Sequence, residues 1–156
     1  MRIVNSKGFT LVELIATLII IALIAAVGGP RFFSINTFRE SGFYDETISS
    51  VRYAQKYAVA SGCNVEVRIA ANGFTLYRPN TVGNCTAAPP YTIALADPSG
   101  NATSFTRTAP SGVTLTPATF TFSALGVASV SPDPLSISVG GRQFLVHGET
   151  GFVQRQ

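Results

Sequence analysis

The sequence predicts an α+β protein, in which a long N-terminal α-helix precedes an antiparallel β-rich globular domain. The first observation is an apolar run over residues 9–29, which contains a single charged residue, Glu13. The second is a change of the hydrophobic period to two after Cys63, with turn residues at short intervals from there onwards. Short strands separated by turns are typical of antiparallel β structure, and such strands can form two packed sheets.

The apolar run is long enough to cross a membrane. A helix of 21 residues is about 30 Å long, which matches the hydrocarbon core of a bilayer. Twelve of these residues are Phe, Leu, Ile or Val. Together they favour insertion by about 4–7 kcal/mol, against a cost of about 3 kcal/mol for the carboxylate of Glu13. The run therefore predicts a transmembrane helix in the first half of the N-terminal helical region.

Glu13 is costly inside a membrane, so it predicts a function and a cationic partner. Within the chain only Arg2 and Lys7 are close, and both precede the run. A free amine at Phe9, created by cleavage after Gly8, would fit better. That amine would belong to a neighbouring subunit, because Glu13 lies on the next helical turn of its own chain.

Residues 7–14, with the sequence Lys-Gly-Phe-Thr-Leu-Val-Glu-Leu, are followed directly by the apolar run. This pattern resembles the N-terminus of the type IV pilin family, which includes the pseudopilins of type II secretion. The resemblance implies that residues 1–8 are a leader, removed after Gly8 by a prepilin peptidase, and that Phe9 is then N-methylated. It also implies a salt bridge between Glu13 and the N-terminus of a neighbouring pilin during assembly.

Two other interpretations of the N-terminus stay open. A secretory signal peptide has a basic start and an apolar region of about 7–15 residues, and Leu23-Ile24-Ala25-Ala26 could suit signal peptidase. Against it, the run here is longer and contains a carboxylate. An ordinary signal anchor would span the membrane in the same way but would leave Glu13 without a role.

The charge pattern predicts which side of the membrane each part occupies. Arg2 and Lys7 precede the run and no basic cluster follows it closely, so the positive-inside rule keeps the N-terminus cytoplasmic. The chain would be a single-pass inner-membrane protein with a periplasmic C-terminal domain, which later enters a pilus or pseudopilus. Removal of residues 1–8 lowers the net charge of +3 by two, to +1. The remaining cations are scattered, which does not indicate a nucleic-acid stripe.

Residues 30–62 are predicted to continue the first helix and then to form a second, amphipathic one. Pro30 predicts a kink because it removes a backbone hydrogen bond, and many type IV pilins have a kinking proline at this point. Residues 41–42, Ser-Gly, predict a break. The second helix is predicted over residues 45–61, with two acidic residues at its start and Gly62 after its end.

Residues 63–156 are predicted to form the β-rich domain. Asn72-Gly73 predicts a two-residue hairpin turn between the first two strands. The strand-like runs are residues 65–69, 74–77, 91–95, 102–107, 113–115, 119–122, 135–139, 144–147 and 151–154.

The two cysteines predict one disulfide, Cys63–Cys85, because the domain is exported to an oxidising compartment. Closing a loop of this length would stabilise the fold by about 3 kcal/mol in the chain-entropy model. Two free buried thiols are the alternative. A metal site would need more ligands than two cysteines and one histidine supply, so no metal and no cofactor are expected.

Three further stretches, residues 51–58, 120–126 and 149–153, are similar to the GspH/FimT branch of minor pilins. Cys63 together with residues 144–154 is most similar to MshC-like pilins of mannose-sensitive haemagglutinin (MSHA) pili. The resemblance implies a minor pilin or pseudopilin that assembles with other pilins into a filament or its tip. Such a subunit is structural and not an enzyme. The only histidine, His147, stands in no catalytic motif.

The alternative function is a DNA-binding minor pilin of the FimT type, acting in natural transformation. Pilins that bind DNA in this way carry Gly-Arg-x-Arg near the C-terminus, whereas residues 151–154 here are Gly-Phe-Val-Gln. Arg142 and Arg155 are nearby but isolated in the sequence. Few phosphates could be neutralised, so nucleic acid is not an expected partner.

Overall fold

The computed structural model describes the backbone of residues 9–32, 35–80, 84–100 and 103–156, and the side chains of these residues outside 26–35. Helix α1 spans Leu11–Phe32 and helix α2 spans Ile35–Ser61, and short antiparallel strands follow. The chain divides into two compact units, Met1–Thr37 and Phe38–Gln156. The predicted α+β class is confirmed.

Helix α1 begins after Thr10 and continues through Pro30 to Phe32. The kink predicted at Pro30 stays a prediction, because the side chains around it lie outside the described part of the chain. Across the ranges that the structure describes, no helix has both the length and the apolar character needed to cross a membrane.

Helix α2 is continuous from Ile35 to Ser61, so the break predicted at residues 41–42 is wrong, and so is the helix start predicted at residue 45. Tertiary contacts of the residues before and after Gly42 outweigh its poor helix propensity, which costs about 1 kcal/mol. The Glu40 carboxylate accepts a hydrogen bond from the Gly141 N–H at 2.6 Å, and the Tyr44 hydroxyl donates to the Gln143 carbonyl at 2.7 Å.

The larger sheet contains six strands within the described residues. They are β1 (Val65–Ala70), β2 (Gly73–Arg78), β3 (Ile93–Ala94), β4 (Thr106–Thr108), β5 (Ala118–Phe122) and β6 (Ala128–Ser129). Their order is β3-β2-β1-β5-β6, with β4 also paired to β2, and every pairing is antiparallel.

The turn between β1 and β2 lies one residue earlier than predicted. Ala70 pairs with Gly73, so the two turn residues are Ala71 and Asn72, and Gly73 is the first residue of β2. A side chain at position 73 would collide with the Arg107 carbonyl oxygen of β4. Gly73 is therefore required by the close approach of the neighbouring strand and not by the turn.

The smaller sheet contains β7 (Leu135–Val139), β8 (Arg142–Val146) and β9 (Val153–Arg155) in that order, all antiparallel. Backbone contacts connect it to β6 and to the segment before β5. Leu115 forms a bridge with Val139, and the Ala128 N–H of β6 donates to the Gly148 carbonyl at 2.8 Å. The predicted division of the strands into two sheets is thus observed, and both sheets and α2 share one hydrophobic core.

Cys63 and Cys85 are joined by the predicted disulfide, and the Asn64 N–H donates to the Cys85 carbonyl at 2.8 Å. A buried carboxylate fixes the far end of the same loop. Glu66 forms an ion pair with Arg68 and accepts a hydrogen bond from the Tyr91 N–H at 3.2 Å. The connection between β2 and β3 is therefore held to the domain at two points, by the disulfide and by a hydrogen bond to the buried Glu66 carboxylate.

Candidate functional site

The predicted cleavage site lies at the start of the described chain. Gly8 lies outside the described residues, and Phe9 is the first residue described, with 69% of its surface exposed. Cleavage after Gly8 and methylation of Phe9 therefore stay predictions.

Thr10 caps the N-terminus of α1. Its side-chain hydroxyl accepts a hydrogen bond from the Glu13 N–H at 3.3 Å, and its carbonyl accepts one from the Leu14 N–H at 3.1 Å. Glu13 is the third residue of the helix, so Thr-Leu-Val-Glu has the pattern of a capping box. A carboxylate in the first turn is also favoured by the helix dipole. The Thr-x-x-Glu spacing predicts this local role, which was not among the expectations for Glu13.

The described part of α1 exposes large apolar side chains all around the helix. Each of them is 49–75% exposed: Leu11, Val12, Leu14, Ile15, Leu18, Ile19, Ile20, Ile21, Leu23 and Ile24. Helices that are apolar on every side are found in large cores or in membranes, where other apolar groups surround them. This surface of α1 therefore fits an apolar environment supplied from outside the chain.

A second cluster joins α2 to the connection between β3 and β4. Arg107 donates to Glu46 Oε1 at 2.7 Å and to Asp97 Oδ2 at 2.9 Å. Its guanidinium lies 4.6 Å from the centre of the Phe105 ring, and Tyr53 stacks on that ring at 5.4 Å. Beside the cluster is a groove of about 300 Å³. Glu46 thus lies in mid-helix and holds a partner, rather than marking the helix start predicted from the sequence.

The contacts of this cluster favour the charged forms of Asp97 and Arg107 and the neutral form of Tyr53. Hydrogen bonds from the backbone N–H and hydroxyl of Ser99, together with Arg107, hold the pKa of Asp97 below its usual value. Burial opposes the charge of Arg107, but hydrogen bonds and attraction from Asp97 and Glu46 outweigh it and raise the Arg107 pKa. Burial, followed by the nearby charges of Tyr57 and Asp97, raises the pKa of Tyr53.

The cations near the C-terminus have internal contacts. Arg155 pairs with Asp45 at 2.9 Å, Arg142 lies 5.6 Å from the centre of the Tyr44 ring, and Arg52 donates to the Val153 carbonyl at 2.8 Å. These contacts connect the smaller sheet to α2.

His147, the remaining candidate for a catalytic residue, forms a contact within the smaller sheet. The ring nitrogen Nε2 of His147 lies 2.9 Å from Gln154 Oε1, in a pair that links β9 to the residue after β8. Over the ranges with described side chains, no three His, Cys, Asp or Glu residues are grouped as metal ligands would be.

Comparison with known proteins gives one sequence match and two structural likenesses. Residues 3–29 match the family described as the prokaryotic N-terminal methylation motif. No curated protein sequence matches the chain significantly. One crystal structure of the type IV minor pilin FimU of Pseudomonas aeruginosa strain PAO1 has 15% identity and a TM-score of 0.47, and covers 72% of this chain and 88% of that chain. A second crystal form has 16% identity and a TM-score of 0.43, and covers 72% and 84%. At this level of likeness neither crystal structure bears on function.

The Asp97 contacts predict a pH-dependent contribution to stability. Because the folded-state pKa of Asp97 lies below its ordinary value of 3.8, this contribution is present at neutral pH and is lost as the pH falls below that value. Asp97→Asn should therefore lower the melting temperature at pH 7, and the difference from the unsubstituted protein should shrink steadily below pH 4. Thermal unfolding of both proteins from pH 7 to pH 2 measures this. A difference that stayed constant to pH 2 would contradict it.

Proposed function

We propose that this chain is a minor pilin or pseudopilin, a structural subunit of a type IV pilus or of a type II secretion pseudopilus. The observation that carries the proposal is the methylation motif over residues 3–29, with Glu13 in the first turn of an apolar helix. A leader, a cleavage site and a carboxylate at this spacing serve a chain that is processed and then assembled.

A more specific proposal is a subunit of the GspH/FimT branch that acts in an MSHA-like pilus. Its support is the sequence resemblance of residues 51–58, 120–126 and 144–154. The Cys63–Cys85 disulfide, which fits an exported domain, is consistent with it.

The mechanism we propose has two stages. The apolar helix first holds the subunit in the inner membrane, with the C-terminal domain in the periplasm. Prepilin peptidase then cuts after Gly8, and the new amine of Phe9 pairs with Glu13 of a neighbouring subunit. Pairing removes the cost of a lone carboxylate among apolar groups and sets the axial position of one subunit against the next.

The first prediction of this proposal concerns processing. The mature chain should begin at Phe9 and carry one added methyl group, because the peptidase of this family cuts after the glycine that ends the leader. Intact-mass analysis of protein extracted from membranes measures both changes, and Gly8→Arg should leave the chain uncut. A mature chain that begins near Ala26 would instead establish the signal-peptide alternative.

The second prediction separates the two roles of Glu13. Glu13→Gln removes the charge but keeps a side chain that can serve a capping box. The variant should still insert, since it brings no charge into the membrane. It should also still be cleaved, because the residues on both sides of the cut are unchanged. Its recovery in sheared filaments should fall severely, because stranding the partner amine typically costs about 3–5 kcal/mol.

Thr10→Ala is the matched control for the capping role. It removes the cap, worth about 1 kcal/mol, and leaves the carboxylate in place. Among cleaved molecules, Thr10→Ala should enter filaments at close to the level of the unsubstituted chain. If Glu13→Gln enters filaments as well as Thr10→Ala does, the proposed salt bridge is wrong.

The third prediction tests the DNA-binding alternative. The purified protein should bind duplex DNA only weakly at about 150 mM salt, because its C-terminal cations are held in internal contacts. The double variant Phe152→Arg/Gln154→Arg restores the Gly-Arg-x-Arg pattern at two exposed positions. It should bind more tightly, with a steeper dependence on salt. Low-micromolar, salt-sensitive binding by the unsubstituted chain would favour DNA uptake.

A further inference from the structure

The face of the larger sheet that points away from α2 carries a groove of about 250 Å³. The residues of β1 and β2 that share a hydrophobic core with α2 are Val67, Ile69, Phe74 and Leu76. Side chains alternate between the two faces of a strand, so the residues between these point to the opposite face. The polar and aromatic side chains that border the groove there are Arg68, Asn72, Thr75, Tyr77, Thr106 and Thr108.

The guanidinium of Arg68 is held in place from below and from the side. Its Nη2 atom donates to the Glu66 carboxylate and, at 3.2 Å, to the Tyr91 carbonyl. The guanidinium carbon lies 4.2 Å from the centre of the Tyr77 ring. The side chain of Glu66 is 1% exposed, whereas that of Arg68 is 39% exposed. A buried carboxylate therefore orients a cation that remains open to solvent.

Arg68 has donors left over for a ligand. None of the hydrogen bonds between described residues uses its Nε or Nη1 atom. Glu66 needs no more of them, because the Tyr91 N–H donates to its second oxygen at 3.2 Å. Because Arg68 borders the groove, these N–H groups are available to an anionic group. A fixed guanidinium with free N–H groups suits a carboxylate, which accepts charge-assisted hydrogen bonds.

Hydroxyl and amide groups supply the rest of the groove's chemistry. Thr75 and Thr106 face each other on β2 and β4, and their hydroxyl oxygens are 3.1 Å apart. One hydroxyl donates to the other, so the pair keeps one O–H donor and free lone pairs. The exposed side chain of Asn72 also offers both a donor and an acceptor. Sugar hydroxyls both donate and accept, whereas an ionised phosphate or carboxylate alone mainly accepts.

We propose that this groove binds one unit of an acidic saccharide. The carboxylate of the sugar accepts from Arg68, and its ring hydroxyls exchange hydrogen bonds with Thr75 and Thr106. The groove is slightly smaller than the range of about 300–1,000 Å³ that holds drug-sized ligands, which suits a single sugar unit. Saccharide binding is a function beyond assembly, and the groove faces away from the helix that packs in the core.

Matched ligands test the two parts of this recognition. The full-length chain, purified in detergent, is titrated in a calorimeter with a trimer of galacturonic acid and with the methyl ester of that trimer. The two share their ring hydroxyls and differ in charge. We expect the acid to bind at least tenfold more tightly than the ester at about 150 mM salt, and to bind more weakly as salt is raised. Acetate and inorganic phosphate should also bind at least tenfold more weakly than the acid.

Arg68→Lys tests the guanidinium. The lysine keeps a positive charge beside Glu66 but loses the planar set of donors. The affinity for the acid trimer should fall about tenfold, because hydrogen bonds to charged groups contribute at least that factor. Circular dichroism and the melting temperature show whether the variant folds.

The double variant Thr75→Val/Thr106→Val tests the hydroxyls without touching the ion pair. Valine keeps the branched shape and the strand propensity of threonine. The affinity for the acid trimer should fall about fivefold, while the variant stays folded. Thr121→Val is the matched control, because Thr121 lies on β5 and borders a different groove. It should bind the trimer as the unsubstituted chain does.

An ester that binds as tightly as the acid, or a trimer that does not bind at all, would overturn the proposal. Acetate or phosphate that binds as tightly as the trimer would reduce the groove to a site for simple anions. The saccharide would equally be excluded if the double variant lost no more affinity than Thr121→Val. Should Arg68→Lys fail to fold, the ester and the double variant still decide. None of these measurements requires cleavage after Gly8 or a filament, so the proposed function stands or fails separately.

Discussion

The domain depends on the packing of one face of α2 against both sheets. Ile48, Val51, Ala54 and Ala58 on this face are fully buried. Burying a Val or Ile side chain contributes about 1.5–3 kcal/mol, whereas the two alanines contribute mainly by letting the strands approach closely. Neither sheet is large enough to enclose a core alone, so the helix completes the core for both.

Polar contacts at the edge of this face fix how the sheets meet. The Gln55 side-chain amide donates at 3.0 Å to the Gly126 carbonyl, between β5 and β6, and at 3.0 Å to the Thr150 carbonyl, between β8 and β9. A side chain at Gly151 would collide with the Gly126 carbonyl oxygen. The two loops can therefore reach one amide only because position 151 has no side chain.

The sequence predicted elements well where local pattern and packing agree. Strand β7 has the bounds that its alternating pattern predicts, since Ile137 and Val139 face the core. The helix end before Gly62 is also as predicted, with a φ of 67° at that residue. In both cases the residues next to each other in the sequence are enough to determine where the element begins or ends.

The predictions from sequence were wrong where contacts between residues far apart in the chain determine the local structure. The helix continues through Ser41–Gly42 because Gly141 and Gln143, about a hundred residues away, hold Glu40 and Tyr44. The first hairpin turn moves by one residue because β4 needs space at Gly73. Strand β6 was missed because two residues are too few to show a period. At the candidate site, nothing local pairs Glu46 with Arg107, which follows it by 61 residues.

Glu13 illustrates how one side chain can satisfy two physical demands. Its position as the third residue of α1 is favoured by the Thr10 cap and by the helix dipole, and neither requires a neighbouring subunit. Those local effects are worth about 1 kcal/mol, however, and are smaller than the cost of about 3 kcal/mol for a carboxylate within a membrane. A glutamine would serve the cap without bringing a charge into the membrane, although its amide would also cost free energy among apolar groups. If α1 lies in a membrane as proposed, the excess cost of the charge is the physical reason for proposing that Glu13 has a partner outside its own chain.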